Sequence, residues 1–172
     1  MNIRAVILAA GQGTRMHSKT PKVLHPLLGR PMLQYAIDAV QREGAEKPVI
    51  VVGHAAQEIR RVFADQALFA LQDEQLGTGH AVQQAEPLLR DQAELVLVTY
   101  GDMPLLTSGA IDRILAAHQA HEGPVTMLTM IGDDPRGFGR VLRDERGYVK
   151  AIVEEAQASP EQLAVRELNP GV

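Results

Sequence analysis

Ala5-Val6-Ile7-Leu8 is an apolar run with no alternation, and it breaks on glycines at 11 and 13. A strand that shows no polar face is buried on both sides, which is the habit of parallel sheets covered by helices. A second buried run follows at 48–53 ("PVIVVG"), with a third strand expected at 68–71 and a further β-rich run at 94–99 ("ELVLVT"). Between these runs lie helical patterns. From Pro31 to Arg42, Leu33, Ile37 and Val40 share one face, and Gly44 stands where a helix would stop. "QEIRRVFADQ" reads as an amphipathic helix, and Thr78–Leu89 as another with Thr78 as N-cap. Thr107 or Ser108 caps a further helix through Ile111, Ile114 and Leu115. "PVTMLTMI" at 124–131 is expected to be a strand. After it the alternation stops: "GRVLRDERGYVKAIVEE" predicts a hairpin around "DERG", and a strand begins again at Val165–Leu168. The expected fold is therefore α/β, a Rossmann-like, mostly parallel sheet with helices on both faces and a β-hairpin in the C-terminal third.

Ligands of such sheets bind beyond the carboxyl ends of the strands. That rule points to Gly11–Lys22, to Gln72–Thr78 and to Tyr100–Asp102. Two common phosphate motifs fail on the first of these stretches. The dinucleotide fingerprint needs glycine at 16, where Met16 stands, and the P-loop needs glycine at 18, where Ser18 stands. An anion site remains: Gly11 and Gly13 permit positive φ and converging N–H groups, Arg15 offers a planar fork, and Lys22 a mobile charge beside Pro21. The other reading is a glycine-rich turn with two solvated cations.

Net charge is −4 without a basic run, which argues against a nucleic-acid-binding face. The chain has no cysteine, so disulfides and cysteine-based chemistry are excluded. Its apolar N-terminal run is too short for a signal peptide or a membrane span, so a cytoplasmic protein is expected. Asp102 at a strand's carboxyl end suits magnesium, or else forms an ordinary aspartate turn. Gln72 can offer a donor and an acceptor to a pyrimidine edge, with Gly77 and Thr78 beside it, or the loop is a polar turn closed by a cap. His118 and His121 lie three apart without a third ligand and read as a solvated helix end. His25 and His80 read as structural.

L-A-A-G-x-G-T-R-M followed by P-K-V-L resembles the signature of sugar-nucleotide pyrophosphorylases. "SKTPKVLHPLLGRPM" and "LQDEQLGTGHAV" are similar to the uridylyltransferase half of the bifunctional bacterial enzymes that make UDP-N-acetylglucosamine, and the likeness runs from Val6 to Gly171. The resemblance implies a reaction of UTP with N-acetylglucosamine 1-phosphate, giving UDP-N-acetylglucosamine and pyrophosphate. It implies Arg15 and Lys22 as catalytic cations and Mg²⁺ on Asp102. It assigns nucleotide contacts to Leu8, Ala9, Ala10, Gly11, Lys22, Gln72, Gly77, Thr78, Tyr100, Gly101 and Asp102, and sugar contacts to Gly139, Glu154 and Asn169. Pro170 departs from the family, where a hydroxyl residue is common. The family also implies a longer nucleotidyltransferase domain carrying an asparagine as second metal ligand, and a left-handed β-helix acetyltransferase domain that trimerises the enzyme. Residues 1–172 are accordingly expected to be one incomplete, monomeric nucleotidyltransferase domain with poor turnover. The alternatives are another sugar-1-phosphate nucleotidyltransferase, against which "EQLGTGHA" argues, and a nucleotide-binding piece without turnover.

Overall fold

A computed structural model of the chain describes every residue except Met1, Gln12, Thr14 and Arg15. The chain forms two compact units, Met1–Gln119 and Ala120–Val172. The first contains β1 (Ile3–Ala9), two short strands β2 (Pro26–Leu27) and β3 (Arg30–Pro31), α1 (Met32–Arg42), β4 (Val49–Val52), α2 (Ala56–Phe63), β5 (Leu68–Leu71), α3 (Thr78–Leu89), β6 (Leu95–Tyr100) and α4 (Ser108–Gln119).

Four strands form a parallel sheet in the order β5-β4-β1-β6. β1 is paired on both sides, and the apolar run without alternation is buried on both faces as expected: Val6, Ile7 and all of β4 are 1% exposed or less. Alternate residues serve different layers. Val6 and Leu8 join Val49, Val51 and Ala70 against Ala81, Ala85 and Leu89 of α3. Two alanines on that helix let it approach the sheet closely. On α1, Leu33, Ala36, Ile37, Ala39 and Val40 are buried, which is the predicted face. The helix starts one residue late because Pro31 takes the N-cap position, and it ends before Gly44 at φ +89°.

Two caps are decided by the backbone. Thr107 Oγ1 accepts the Ala110 N–H at 3.2 Å, so Thr107 and not Ser108 caps α4. Thr78 is not an N-cap; Gly77 is, with φ 100° and ψ 178°. That region is open almost only to glycine, and it turns the Gly77 carbonyl to accept the Ala81 N–H at 3.1 Å.

The second unit holds an antiparallel sheet in the order β7-β10-β8-β9, formed by β7 (Met130–Ile131), β8 (Gly139–Arg143), β9 (Val149–Val153) and β10 (Glu167–Asn169), with the short α5 (Pro160–Leu163). The hairpin turns where expected. Asp144 Oδ1 accepts the N–H groups of Arg146 and Tyr148, both at 2.9 Å, and Gly147 takes φ +83°. The strand expected at 124–131 shrinks to Met130–Ile131, because its partner β10 is three residues long and pairs only through Glu167 and Leu168. Arg143 Nε donates to Glu167 Oε2 at 2.7 Å, which clips β8 to β10.

Gly53 ends β4 so near the first loop that a Cβ there would lie 2.9 Å from the Ala10 carbonyl oxygen. Gly53→Ala should therefore cost about 1–3 kcal/mol through backbone displacement, read as a lowered melting temperature; an unchanged value would mean the junction yields freely. The Arg143 guanidinium holds the Glu167 carboxyl below its ordinary range. A depressed carboxylate contributes stability above its unfolded pKa and loses it as pH falls through the folded value. The gap in urea stability between the chain and Glu167→Gln should be largest at neutral pH and close below about pH 4. A gap independent of pH would assign the loss to packing.

Candidate active site

The strand order places β4 and β5 on one side of β1 and β6 on the other. The chain reverses direction across the sheet between β1 and β6, where a crevice must open at the carboxyl ends. The Leu8 carbonyl accepts the Gly101 N–H at 2.9 Å, so the two strand ends stay tied while their loops part. A cavity of about 480 Å³ lies there, walled by Leu8, Ala9, Ala10 and Gly11, by Gln72, Gly77 and Thr78, and by Lys22, Tyr100 and Asp102. All three stretches indicated by the sequence meet in it. Gly101 is not on its wall; a side chain there would run into Leu33 Cδ1 at 2.9 Å, so this glycine serves close packing beneath the site.

Lys22 Nζ donates to Asp102 Oδ2 across the cavity, and both side chains are about one-third exposed. Pro21, at φ −54°, starts the short 3₁₀ turn Lys22–Leu24 that carries the lysine. Gly13 has φ +61°, and a Cβ on it would come within 2.8 Å of Lys22 Cβ, so the loop lies directly on the lysine stem. Gly11 differs from expectation, because it does not take positive φ. Arg15 lies outside the described residues.

Gln72 is 4% exposed. Its Nε2 donates to the Gly77 carbonyl at 3.1 Å, which closes the polar loop on itself. Gln75 is a wall residue that the sequence reading missed; its Nε2 donates to the Ala10 carbonyl at 2.9 Å and joins the second loop to the first. Among the glutamines of "LQDEQ", no periodicity marks which side chains turn inward. His25 Nε2 lies 3.1 Å from the Thr20 carbonyl, a structural contact as expected. His121 has both nitrogens engaged, with Thr126 Oγ1 at 2.7 Å and the Gly123 N–H at 2.9 Å. Among the described residues no group of three His, Cys, Asp or Glu side chains could hold a metal. A metal at Asp102 would thus have one protein carboxylate. That donor set fits Mg²⁺, which takes one or two carboxylates and completes its shell with water and phosphate.

The second unit gathers the other three candidates. Gly139 pairs with Asn169 across β8 and β10, and a Cβ at Gly139 would lie 3.4 Å from Glu154 Oε1. A backbone from β8, an amide from β10 and a carboxylate from the residue just past β9 thus lie close together. Asn169 Oδ1 accepts the Gly171 N–H at 3.0 Å, which fixes the amide's direction. Arg140, next to Gly139, was not foreseen from the sequence. It is 2% exposed, donates through Nη1 to the carbonyls of Pro135 (2.9 Å) and Phe138, and meets Glu155 Oε1 at 3.4 Å. Glu155 Oε2 in turn accepts the Gly137 N–H at 2.9 Å. Together they brace the turn that presents Gly139.

The chain is similar to proteins called "Bifunctional protein GlmU". It is 46% identical over 167 residues to that of Heliobacterium modesticaldum, covering 97% of this chain and 36% of the relative. Against that of Burkholderia lata it is 51% identical over 173 residues, covering 100% of this chain and 37% of the relative. The chain thus spans a little over a third of the length of these curated relatives. Among solved structures, Rv0371c from Mycobacterium tuberculosis H37Rv is 25% identical with a TM-score of 0.60, covering 76% of this chain and 64% of that one. A Bacillus anthracis protein crystallised in complex with a sucrose shares the fold at 17% identity, with a TM-score of 0.72, 98% of this chain and 69% of that one. The family model described as "MobA-like NTP transferase domain" matches residues 5–166, and the chain belongs to that family.

Proposed function

We propose that the chain carries the site of a uridylyltransferase that makes UDP-N-acetylglucosamine and pyrophosphate from UTP and N-acetylglucosamine 1-phosphate, for cell-wall precursor synthesis in the cytoplasm. The observation that supports this most is the cavity at the strand-order reversal, where a lysine, a carboxylate, a buried amide and exposed backbone meet. Membership of an NTP transferase family, with relatives that are called bifunctional, supports nucleotidyl transfer. No described helix is long and apolar enough to cross a membrane.

In the reaction, a phosphate oxygen of the sugar phosphate forms a bond to the α-phosphorus of UTP. The bond from that phosphorus to the bridging oxygen breaks, and pyrophosphate leaves with the electron pair. The nucleophile is already an anion, so the chain need supply no strong base. Its work is to overcome repulsion between anions and to hold them in line. Lys22 and Arg15 neutralise phosphate charge, Lys22 by exchanging Asp102 for a phosphate oxygen. Asp102 would hold Mg²⁺, which neutralises charge on the phosphates when bound. Gln72, with the backbone of Leu8–Gly11 and Gly77, reads the uracil, while Thr78 and Tyr100 complete the wall. Gly139, Glu154 and Asn169 meet the hydroxyl and acetamido groups of the sugar through directional hydrogen bonds.

Pyrophosphate release from UTP, N-acetylglucosamine 1-phosphate and Mg²⁺ tests the reaction, and calorimetry tests the base. UTP should bind more tightly than CTP or ATP, and equal affinities would remove the uridylyl assignment. UTP binding without release would favour a nucleotide-binding module. Where release is measured, Lys22→Ala should reduce it about a hundredfold, the loss of roughly 3 kcal/mol from a charge-assisted contact in the transition state. Asp102→Asn should abolish the magnesium-dependent release. Melting temperatures should move little in either variant; a stability loss without a specific rate defect would make the pair structural.

A further inference from the structure

Gln72, His80 and Gln84 form a chain of polar contacts running from the cavity wall onto α3. Gln72 Nε2 lies 3.1 Å from His80 Nδ1, in addition to its bond to the Gly77 carbonyl. One turn further along α3, the amide nitrogen of Gln84 lies 3.0 Å from His80 Nε2 and 3.2 Å from the His80 carbonyl. A neutral imidazole carries one N–H and one lone pair, so it cannot accept from both amides. One of the two must turn its oxygen toward the ring.

Burial decides which. Gln72 is 4% exposed, and its amide nitrogen faces the Gly77 carbonyl, which also accepts the Ala81 N–H. Turning Gln72 over would place two acceptor oxygens against each other in a buried place, where an unmade hydrogen bond is costly. Gln84 is only half-buried, so rotation of its amide is repaired by water. His80 therefore keeps its lone pair on Nδ1 and its proton on Nε2. Both N–H groups of Gln72 are then consumed, by Gly77 and by His80. Among the described residues none donates to Gln72 Oε1, and Gln72 walls the cavity.

We infer that His80 is a positioning residue that fixes the Gln72 amide with its carbonyl oxygen toward the ligand, so that the site selects a pyrimidine with an N–H at ring position 3. Uracil carries that N–H; cytosine carries a lone pair there and meets the oxygen acceptor to acceptor. The inference rests on the reading that Gln72 faces the base. It assigns base selectivity to a histidine that need not touch the nucleotide.

The test compares UTP and CTP affinities, by calorimetry with Mg²⁺, for the unaltered chain, His80→Leu and His80→Asn. His80→Leu removes the acceptor, and the UTP-over-CTP ratio should fall about tenfold or more. His80→Asn places an oxygen near the position of Nδ1 and should keep most of the ratio. A ratio unchanged in His80→Leu, even if both affinities fall together, overturns the positioning role and leaves the uridylyl reading standing. No UTP preference in the unaltered chain sinks both. Should His80→Leu fail to fold, the imidazole itself reports: long-range ¹H–¹⁵N spectra of the unaltered chain should show His80 protonated on Nε2, and protonation on Nδ1 would overturn the inference.

Discussion

β1 is hydrogen-bonded along both edges and apolar on both faces, and every other part of the first unit is placed by it. Its register is strongly specified, since a slip by one residue would exchange the side chains facing α3 with those facing the opposite layer. Val6 and Leu8 fit against the alanines of α3 only in the observed register. Where β1 ends, the chain has neighbours on both sides whose onward loops must diverge, and the site occupies the gap. The Leu8–Gly101 hydrogen bond marks the last point at which the backbone is still fully paired. Rigid strands thus carry the functional loops to within reach of one another, and the loops themselves need little regular structure.

Much of this was legible in the sequence because it depends on local pattern. The apolar runs at 5–8 and 48–53, the face of α1 and the "DERG" turn each contain their own physical cause, whether burial on two sides, helical spacing or an aspartate that turns its backbone. What failed depends on partners distant in sequence. Residues 124–131 have strand composition, yet a ladder is only as long as its shorter member, and β10 offers three residues. Thr78 is a good cap by type, but Gly77 accepts a conformation that threonine could not share and takes the role. Gln75 and Arg140 were missed for a similar reason: each is important for the main-chain carbonyls it bonds, and those carbonyls have no sequence signature.

In both units main-chain carbonyls beside the candidate residues are braced by side-chain nitrogen from the rear. In the first, Gln72 holds the Gly77 carbonyl and Gln75 the Ala10 carbonyl. In the second, Arg140 gathers the Pro135 and Phe138 carbonyls behind Gly139. Bracing of this kind keeps most of the buried nitrogen hydrogen-bonded, although Arg140 Nε has no partner among the described residues. It also leaves the front of the glycine bare, and a Cβ at Gly139 would crowd Glu154 and Ile152.

With Lys22 and Asp102 closed on each other, the mouth of the first cavity presents a dipole where an isolated cation would otherwise stand. A dipole's field fades faster with distance than that of a charge, and salt screens what is left within about 8 Å. On a chain of net charge −4, this lysine gives an approaching anion little electrostatic steering. Partner exchange happens at contact. A bare anion has to take Lys22 from Asp102 and strand the carboxylate, whereas an anion arriving with its own cation leaves both matched. Under the proposed function, the pairing would therefore sort ligands by the charge they carry with them, after encounter and before any bond changes.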